Sequence, residues 1–292
     1  MVSCRDIISV DVEDYFHVEA FTDIVTSSQW ETYPSRVEAN TVRVLDLLDE
    51  CGVKGTFFIL GWVADRNPGL VRKIADRGHE LACHSYWHRL VYLLTPQEFQ
   101  EDTQRAKNCI EQASGKPVFG YRAPTFSITS RSAWAPEILV ELGFSYDSSV
   151  FPVHHDVYGV PEAPRKPFLI ETRSGPLVEY PMTTFRVGSS PNLPVAGGGY
   201  LRLAPYWYTY AGVRRVWKEG LPVISYVHPW EFDPEQPRLP GRLKSRIRHY
   251  TNLNKTASRL SKLISLGEFG PFRDSRLCDE ARPYLLPQTT NP

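Results

Sequence analysis

Apolar residues in the first half of the chain fall in short runs, separated by stretches with a helical apolar repeat. Residues 7–12, 53–60, 79–83, 118–122 and 144–147 ("IISVDV", "VKGTFFIL", "HELAC", "VFGYR", "FSYD") read as strands. The stretches between them read as helices that stop at a glycine. Ser35 and Glu38 have capping-box spacing and open a helix with Val37, Val44, Leu45 and Leu48 inward, ending at Gly52. Pro68, after Asn67, suits the first position of a second helix that ends before Gly78. Thr95-Pro96-Gln97-Glu98 opens a third that closes near Gly115, and a fourth covers about 131–142 before Gly143. Repeated strand–helix units predict an α/β fold with a parallel sheet and right-handed crossovers, and so many units in one chain favour a closed barrel.

From residue 148 to 222 the pattern loosens. Prolines are frequent, "AGGGY" (196–200) breaks any period, and an aromatic helix "PYWYTYAGVRRVWKEG" leads to a last clear strand, "PVISYVHP". Since a strand–helix unit resumes afterwards, 148–222 is expected to be an irregular insertion within a single domain spanning 1–292. A basic helical extension then covers about 238–292. Residues 238–262 hold eight Lys or Arg and no acid, and Leu253, Ala257, Leu260 and Ile264 are expected to face the core. A solvated basic face is the plain reading; peripheral contact with a membrane or a lipid-linked glycan is the alternative.

Charge and composition narrow the classes. The 33 Lys and Arg balance the 33 Asp and Glu, so no global field draws the chain to nucleic acid. The start has no apolar run of signal-peptide length and no window reaches membrane-span length, so a soluble, cytoplasmic protein is expected. Cys4, Cys51, Cys83, Cys109 and Cys278 are odd in number and never form a CxxC pair, which argues for free thiols. The oligomeric state is not legible.

The candidate chemistry lies at the C-terminal ends of the expected strands: Asp11, Glu13 and Asp14; His84 and His88; Arg122; Asp147; and His228. In a parallel barrel those ends share one face, where active sites are built. With eight histidines in the chain, the His84–His88 spacing alone is a weak signal, and its convergence with acids, an arginine and a third histidine strengthens it. Two imidazoles and a carboxylate would leave open positions on a divalent metal, as catalytic sites do. One helical turn after "HELAC" would put both imidazoles on one side. Ser85 stands where a metalloprotease glutamate would be, so the base must come from elsewhere, and Asp11 is the candidate.

In order, "SVDVEDYFH", "HSYWH", "GYRAP", "DSS" and "YVHPWE" resemble the five motifs of the polysaccharide deacetylases, the NodB-homology group of carbohydrate esterase family four. The resemblance covers roughly residues 5–235. "DVEDYF", "GGGYLRL" and "HPWEFDPEQPR" are similar to the branch associated with exosortase and exopolysaccharide loci. The resemblance implies a distorted TIM-like (β/α)7 barrel, one divalent metal (zinc first, with cobalt, nickel, manganese or iron as alternatives) and hydrolysis of N-acetyl groups on a glycan. Matched by motif, Asp11 is the base, Arg122 its orienting partner, His84 and His88 are metal ligands, and His228 is the acid with Asp147 orienting it. The usual "DD" motif reads D-V-E-D here. Asp11 and Glu13 share a strand face, yet Asp14 is the preferred third ligand if the chain turns off the sheet.

An N–H near Thr125 or Phe126 would receive the oxyanion. Trp87 and Trp230, with Trp207, are the aromatic candidates for stacking on sugar rings. Two rivals remain: a cyclic-amide hydrolase of the same fold, allantoinase-like, and a non-catalytic sugar-binding module.

Overall fold

The computed structural model describes residues 6–195, 197–275 and 282–287, so Cys4 and Cys278 lie outside the described residues. Strands β1 (Asp6–Val12), β2 (Thr56–Ile59), β3 (Glu80–Cys83), β4 (Gly120–Tyr121) and β5 (Tyr146–Asp147) lie side by side in that order, all parallel. A hairpin of β6 (Phe168–Thr172) and β7 (Gly175–Glu179) follows, with β7 parallel to β5 and β6 antiparallel at the edge. The pair β8 (Thr184–Phe185) and β9 (Leu193–Pro194) stands apart. β10 (Ile224–Val227) pairs in parallel with the other side of β1, and β11 (Phe269–Gly270) joins the start of β1.

The row from β10 to β7 is therefore seven parallel strands, as expected of a distorted (β/α)7 fold. Among the described residues its two ends are not joined by strand pairing. Thr183 and Gly197, from the chain after β7, meet β10 there: Ile224 N donates to Thr183 Oγ1 at 2.6 Å, and Gly197 forms a single bridge with Tyr226.

Alternation along the strands divides the interior in two. Ile8, Val10, Val12, Phe57, Ile59, Leu81, Cys83 and Val227 belong to the large core shared with the helices. Ile7, Phe58, Ala82, Tyr146, Ile224 and Tyr226 form a second cluster on the opposite face. Ser9 and Asp11 follow Ile7 at period two, so they point to that second side.

The helices are α1 (Val37–Glu50), α2 (Gly61–Arg66), α3 (Pro68–Asp76), α4 (Pro96–Ser114), α5 (Ala135–Glu141), α6 (Gly198–Leu203), α7 (Tyr206–Lys218), α8 (Leu243–Tyr250) and α9 (Thr256–Ile264). The Thr95–Glu98 capping box opens α4, and Gly115 ends it in the left-handed region at φ 67°, where a side chain would be strained. α5 is shorter than the expected 131–142, because Pro136, which has no N–H to give, occupies its first turn.

Other expectations need correction. No capping box forms between Ser35 and Glu38; the Ser35 hydroxyl donates to Asp14, and Glu38 pairs with Lys73 at 3.1 Å. The 148–222 segment is more than an irregular insertion, since β7 continues the sheet through its pairing with β5. The C-terminal extension is not purely helical, because β11 adds to β1. Leu253, Leu260 and Ile264 are buried as expected, and Ala257 packs at the margin of the core. Cys51, Cys83 and Cys109 are free thiols.

Candidate active site

Arg122, which follows β4 and is 0% exposed, organises the floor of the site. Its Nη1 donates to Asp11 Oδ1 at 2.7 Å and to Ser9 Oγ at 2.8 Å, two residues that share a face of β1. Its Nε and Nη2 donate to the Ser148 carbonyl and hydroxyl at 3.1 and 3.0 Å, and the guanidinium lies 4.1 Å over the Phe58 ring. With its charge paired and its planar fork filled, a buried arginine can hold a carboxylate in one orientation.

Asp147 does not reach His228. It accepts the Ser149 hydroxyl at 2.5 Å, and Ser149 Oγ accepts Ala123 N at 2.7 Å, so Asp147 braces the loop after Arg122. Beside it lies the buried Glu179. Desolvation pushes Asp147 up to about 6, and desolvation together with the Asp147 charge raises Glu179 well above the carboxylate range.

The partner of His228 is Glu231, whose Oε1 is 3.0 Å from His228 Nδ1. Glu231 stands in the short 3₁₀ turn Pro229–Phe232 after β10, and Arg202 Nε approaches the same oxygen at 3.5 Å. The other ring nitrogen, Nε2, is 3.5 Å from Glu13 and 4.0 Å from Asp11 Oδ2. Burial works against protonation of His228, but the hydrogen bond and charge of Glu231, with Glu13 and Asp11, raise it to about 9. Glu231 was missed at the sequence level, although "HPWE" places it three residues after the histidine, one turn away.

His84 and His88 meet, with ring centroids 5.3 Å apart, but not through a helical turn. After β3 the chain runs as an irregular loop in which Ser85 and His88 are left-handed, at φ 61° and 52°. His84 Nδ1 lies 2.8 Å from the Arg122 carbonyl, which can only accept, so Nδ1 carries the proton and Nε2 keeps its lone pair. Desolvation lowers His84 to about 4, which keeps the imidazole neutral.

The acid beside them is Glu13. Donor atoms of Glu13, His84 and His88 all lie within 4.8 Å of one another, and all three residues are buried. Glu13 Oε1 accepts Trp230 Nε1–H at 3.1 Å, while Oε2 receives no hydrogen bond although His88 Nε2 is 2.8 Å away. Burial opposes ionisation of Glu13, but His88, His228 and His84 outweigh it and hold the carboxyl well below its usual range.

The expectation for Asp14 is corrected. Its Oδ2 accepts Ser35 Oγ, Arg36 N and Val37 N at 2.8, 2.8 and 3.0 Å, and its Oδ1 accepts Tyr15 N at 3.0 Å. Asp14 is thus the remote N-terminal cap of α1, and its lone pairs are committed.

The aromatic candidates also divide. Trp230 is 4% exposed, stacked between His228 (5.1 Å) and His249 (4.1 Å), so it supports the site and offers no open face to a sugar. Trp87 is half-buried against Tyr86 and Trp30. Trp207 is exposed on α7. Phe126 is buried against Phe151 and Tyr226, and its N–H donates to the Ala123 carbonyl at 3.1 Å. Thr125 precedes it at φ 53°, and among the described residues no hydrogen bond uses the Thr125 N–H.

Two family models match successive segments of the chain. The polysaccharide deacetylase family model matches residues 25–146, and a domain of unknown function, DUF3473, matches 148–276. A peptidoglycan deacetylase-like protein of Gibberella zeae is 34% identical over 37% of this chain and 32% of its own length. A peptidoglycan-N-acetylglucosamine deacetylase of Bacillus cereus is 30% identical over 33% of the chain and 36% of its length. The chain thus spans about a third of the length of these relatives. A Mycobacterium smegmatis protein assigned as a polysaccharide deacetylase superposes with TM-score 0.58 at 19% identity, over 92% of this chain and 88% of that one. Puue allantoinase does so with 0.56 at 12%, over 90% and 85%. Residues 25–146, which match the polysaccharide deacetylase family model, contain His84, His88 and Arg122, and residues 148–276, which match DUF3473, contain His228 and Glu231; the fold brings these side chains together around Asp11 and Glu13, and the polysaccharide deacetylase match belongs to the 25–146 segment.

Proposed function

We propose that the chain hydrolyses N-acetyl groups from N-acetylhexosamine units of an oligo- or polysaccharide. The observation that carries this reading is the pair of buried Asp11, clamped by Arg122, and half-buried His228, with Nε2 4.0 Å from Asp11 Oδ2, beside the Glu13–His84–His88 donor set. The donors suit a small divalent cation, zinc first: two imidazoles, one oriented through the Arg122 carbonyl, and a carboxylate oxygen that takes no hydrogen bond. When bound there, such a cation would supply Lewis acidity, polarising the acetyl carbonyl and making a water more acidic.

The chain's own groups supply the proton chemistry. Asp11 Oδ2 accepts the proton of the attacking water, while Oδ1 stays on Arg122. His228 Nε2 gives a proton to the departing nitrogen while Glu231 holds the ring through Nδ1, and the proton taken up by Asp11 returns to His228 or to solvent as the products leave, a role of the kind that contributes about 10²–10⁴-fold. Of the two N–H groups expected to receive charge on the carbonyl oxygen, that of Phe126 is taken by the Ala123 carbonyl, which supports Thr125 in this role. Membership of the exosortase-associated branch belongs to the same proposal and rests on the "HPWEFDPEQPR" and "GGGYLRL" segments.

The test is an acetate-release screen over N-acetylated hexosamine oligomers, with and without chelator. Release that a chelator abolishes and a divalent metal restores is expected. A cyclic amide hydrolysed in place of the oligomers would favour the allantoinase-like rival, and sugar binding without release the non-catalytic one.

A further inference from the structure

Helix α8 has two unlike faces. Inward, His249 is buried and stacks on Trp230 at 4.1 Å, and its Nε2 meets Gln236 Oε1 at 2.7 Å. Outward, Leu243 and Ile247, one turn apart, are 70% and 55% exposed, and Arg242, Lys244, Arg246 and Arg248 around them are exposed too. The neighbouring helix α6 packs against α8, its last residue, Leu203, is 40% exposed, and Trp207 four residues later is 69% exposed.

Large apolar side chains ringed by arginine and lysine on a short helix suit neither a packed core nor a plain solvated face. The charge is concentrated. Eight of the chain's 33 basic residues and none of its 33 acids fall in 238–262, within a chain of zero net charge. One acid outside the segment, Asp23, reaches it, through an ion pair with Arg242 at 2.8 Å.

We infer that α8 is an interfacial element which lies flat on an anionic lipid bilayer, Leu243 and Ile247 entering the acyl boundary and Arg242, Lys244, Arg246 and Arg248 meeting the headgroups. Charge complementarity selects this occupant: a neutral protein partner would leave the ring of cations unmatched, and an aqueous polyanion would not need the two apolar side chains. No helix among the described residues is long and apolar enough to cross a membrane, so the contact is peripheral.

The placement relative to the site gives the contact a use. Arg202 donates to the carbonyls of Arg248 and Thr251 at 3.2 and 2.7 Å, and it also approaches Glu231, the partner of His228. On the other flank His155 stacks on Tyr158 at 3.9 Å, and Tyr158 abuts Phe126. On the proposed hydrolysis of glycan N-acetyl groups, a helix resting on a bilayer would hold the Glu231–His228 end of the site near glycans attached to that surface.

The experiment is sedimentation of the whole chain with vesicles of phosphatidylcholine alone and of phosphatidylcholine with 30% phosphatidylglycerol, at low and high salt. Partition into the anionic vesicles that falls with salt is expected, with little onto the neutral ones. Replacing Arg242, Lys244 and Arg246 by Gln should weaken partition by roughly 100-fold, at about fivefold per basic residue. The double variant Leu243→Ser, Ile247→Ser should also weaken it at unchanged thermal midpoint, since both side chains are exposed. Equal partition onto both vesicle types would overturn the inference. So would loss in the charge variant with none in the Leu243/Ile247 variant, which would mark simple adsorption of a polyanion, or retention on a soluble anionic polymer without any on vesicles.

Discussion

His228 Nδ1 and Glu231 Oε1 stand 3.0 Å apart, His228 capping the 3₁₀ turn that holds Glu231, so the proposed acid and the group that orients it come from a single four-residue segment. Burial alone would keep His228 neutral, yet Glu231, Glu13 and Asp11 raise it to about 9. A proton donor with a raised value is charged at neutral pH and loses its proton as pH rises through that value. Acetate release should therefore fall on the alkaline side near pH 9, and Glu231→Gln should move that limb to lower pH while cutting kcat by about 10-fold or more with little change in KM. An unmoved limb in the pH–rate profile would remove Glu231 from this role.

Glu13 and Asp14 are adjacent acids with separate tasks. Glu13→Gln should lower metal affinity by more than the ~10–100-fold typical of an outer-shell change, as read by elemental analysis and competition with a chelating dye. Asp14→Asn should leave metal content unchanged and cost about 1–3 kcal/mol of stability, because the cap of α1 loses its ionised acceptor. The opposite pattern would restore Asp14 as the ligand.

Asp11→Asn should bind metal as the wild type does and release no acetate above background. His84→Ala should lose both. Normal turnover in the first variant, or full stoichiometry in the second, contradicts the assignments.

Asp147 and Glu179 are buried side by side with raised values, so the folded chain binds protons that the unfolded chain has released. Their contribution to stability is present below the unfolded carboxyl values near 4 and declines as pH rises through about 6 and above. Thermal midpoints across pH 4–8 should show this decline, and Glu179→Gln should flatten it. A slope unchanged in that variant would place the titrating groups elsewhere.

Much of this centre could be read from the chain because period-two alternation is local. Ser9, Asp11 and Glu13 share a face by that rule, and the strand ends that carry His84, Arg122 and His228 are bounded by apolar runs. What escaped depends on distant partners. Asp14 is taken by a helix that begins 23 residues later, which no spacing rule registers. The helical turn expected for His84 and His88 fails because Ser85 and His88 adopt left-handed backbone, a conformation that costs about 1–3 kcal/mol each and that only the surrounding packing enforces. β7 was hidden because its strand, "GPLVE", carries a proline and a buried acid, both of which lower the apolar signal.

β1 is bordered by β2 on one side and by β10 and β11 on the other, so its neighbours come from opposite ends of the polypeptide. The boundary between the two matched segments, at residues 146 and 148, is therefore not a seam along which the molecule divides. A fragment ending there would leave one side of β1 as a bare edge open to association with other copies, and would lack His228, the proposed acid.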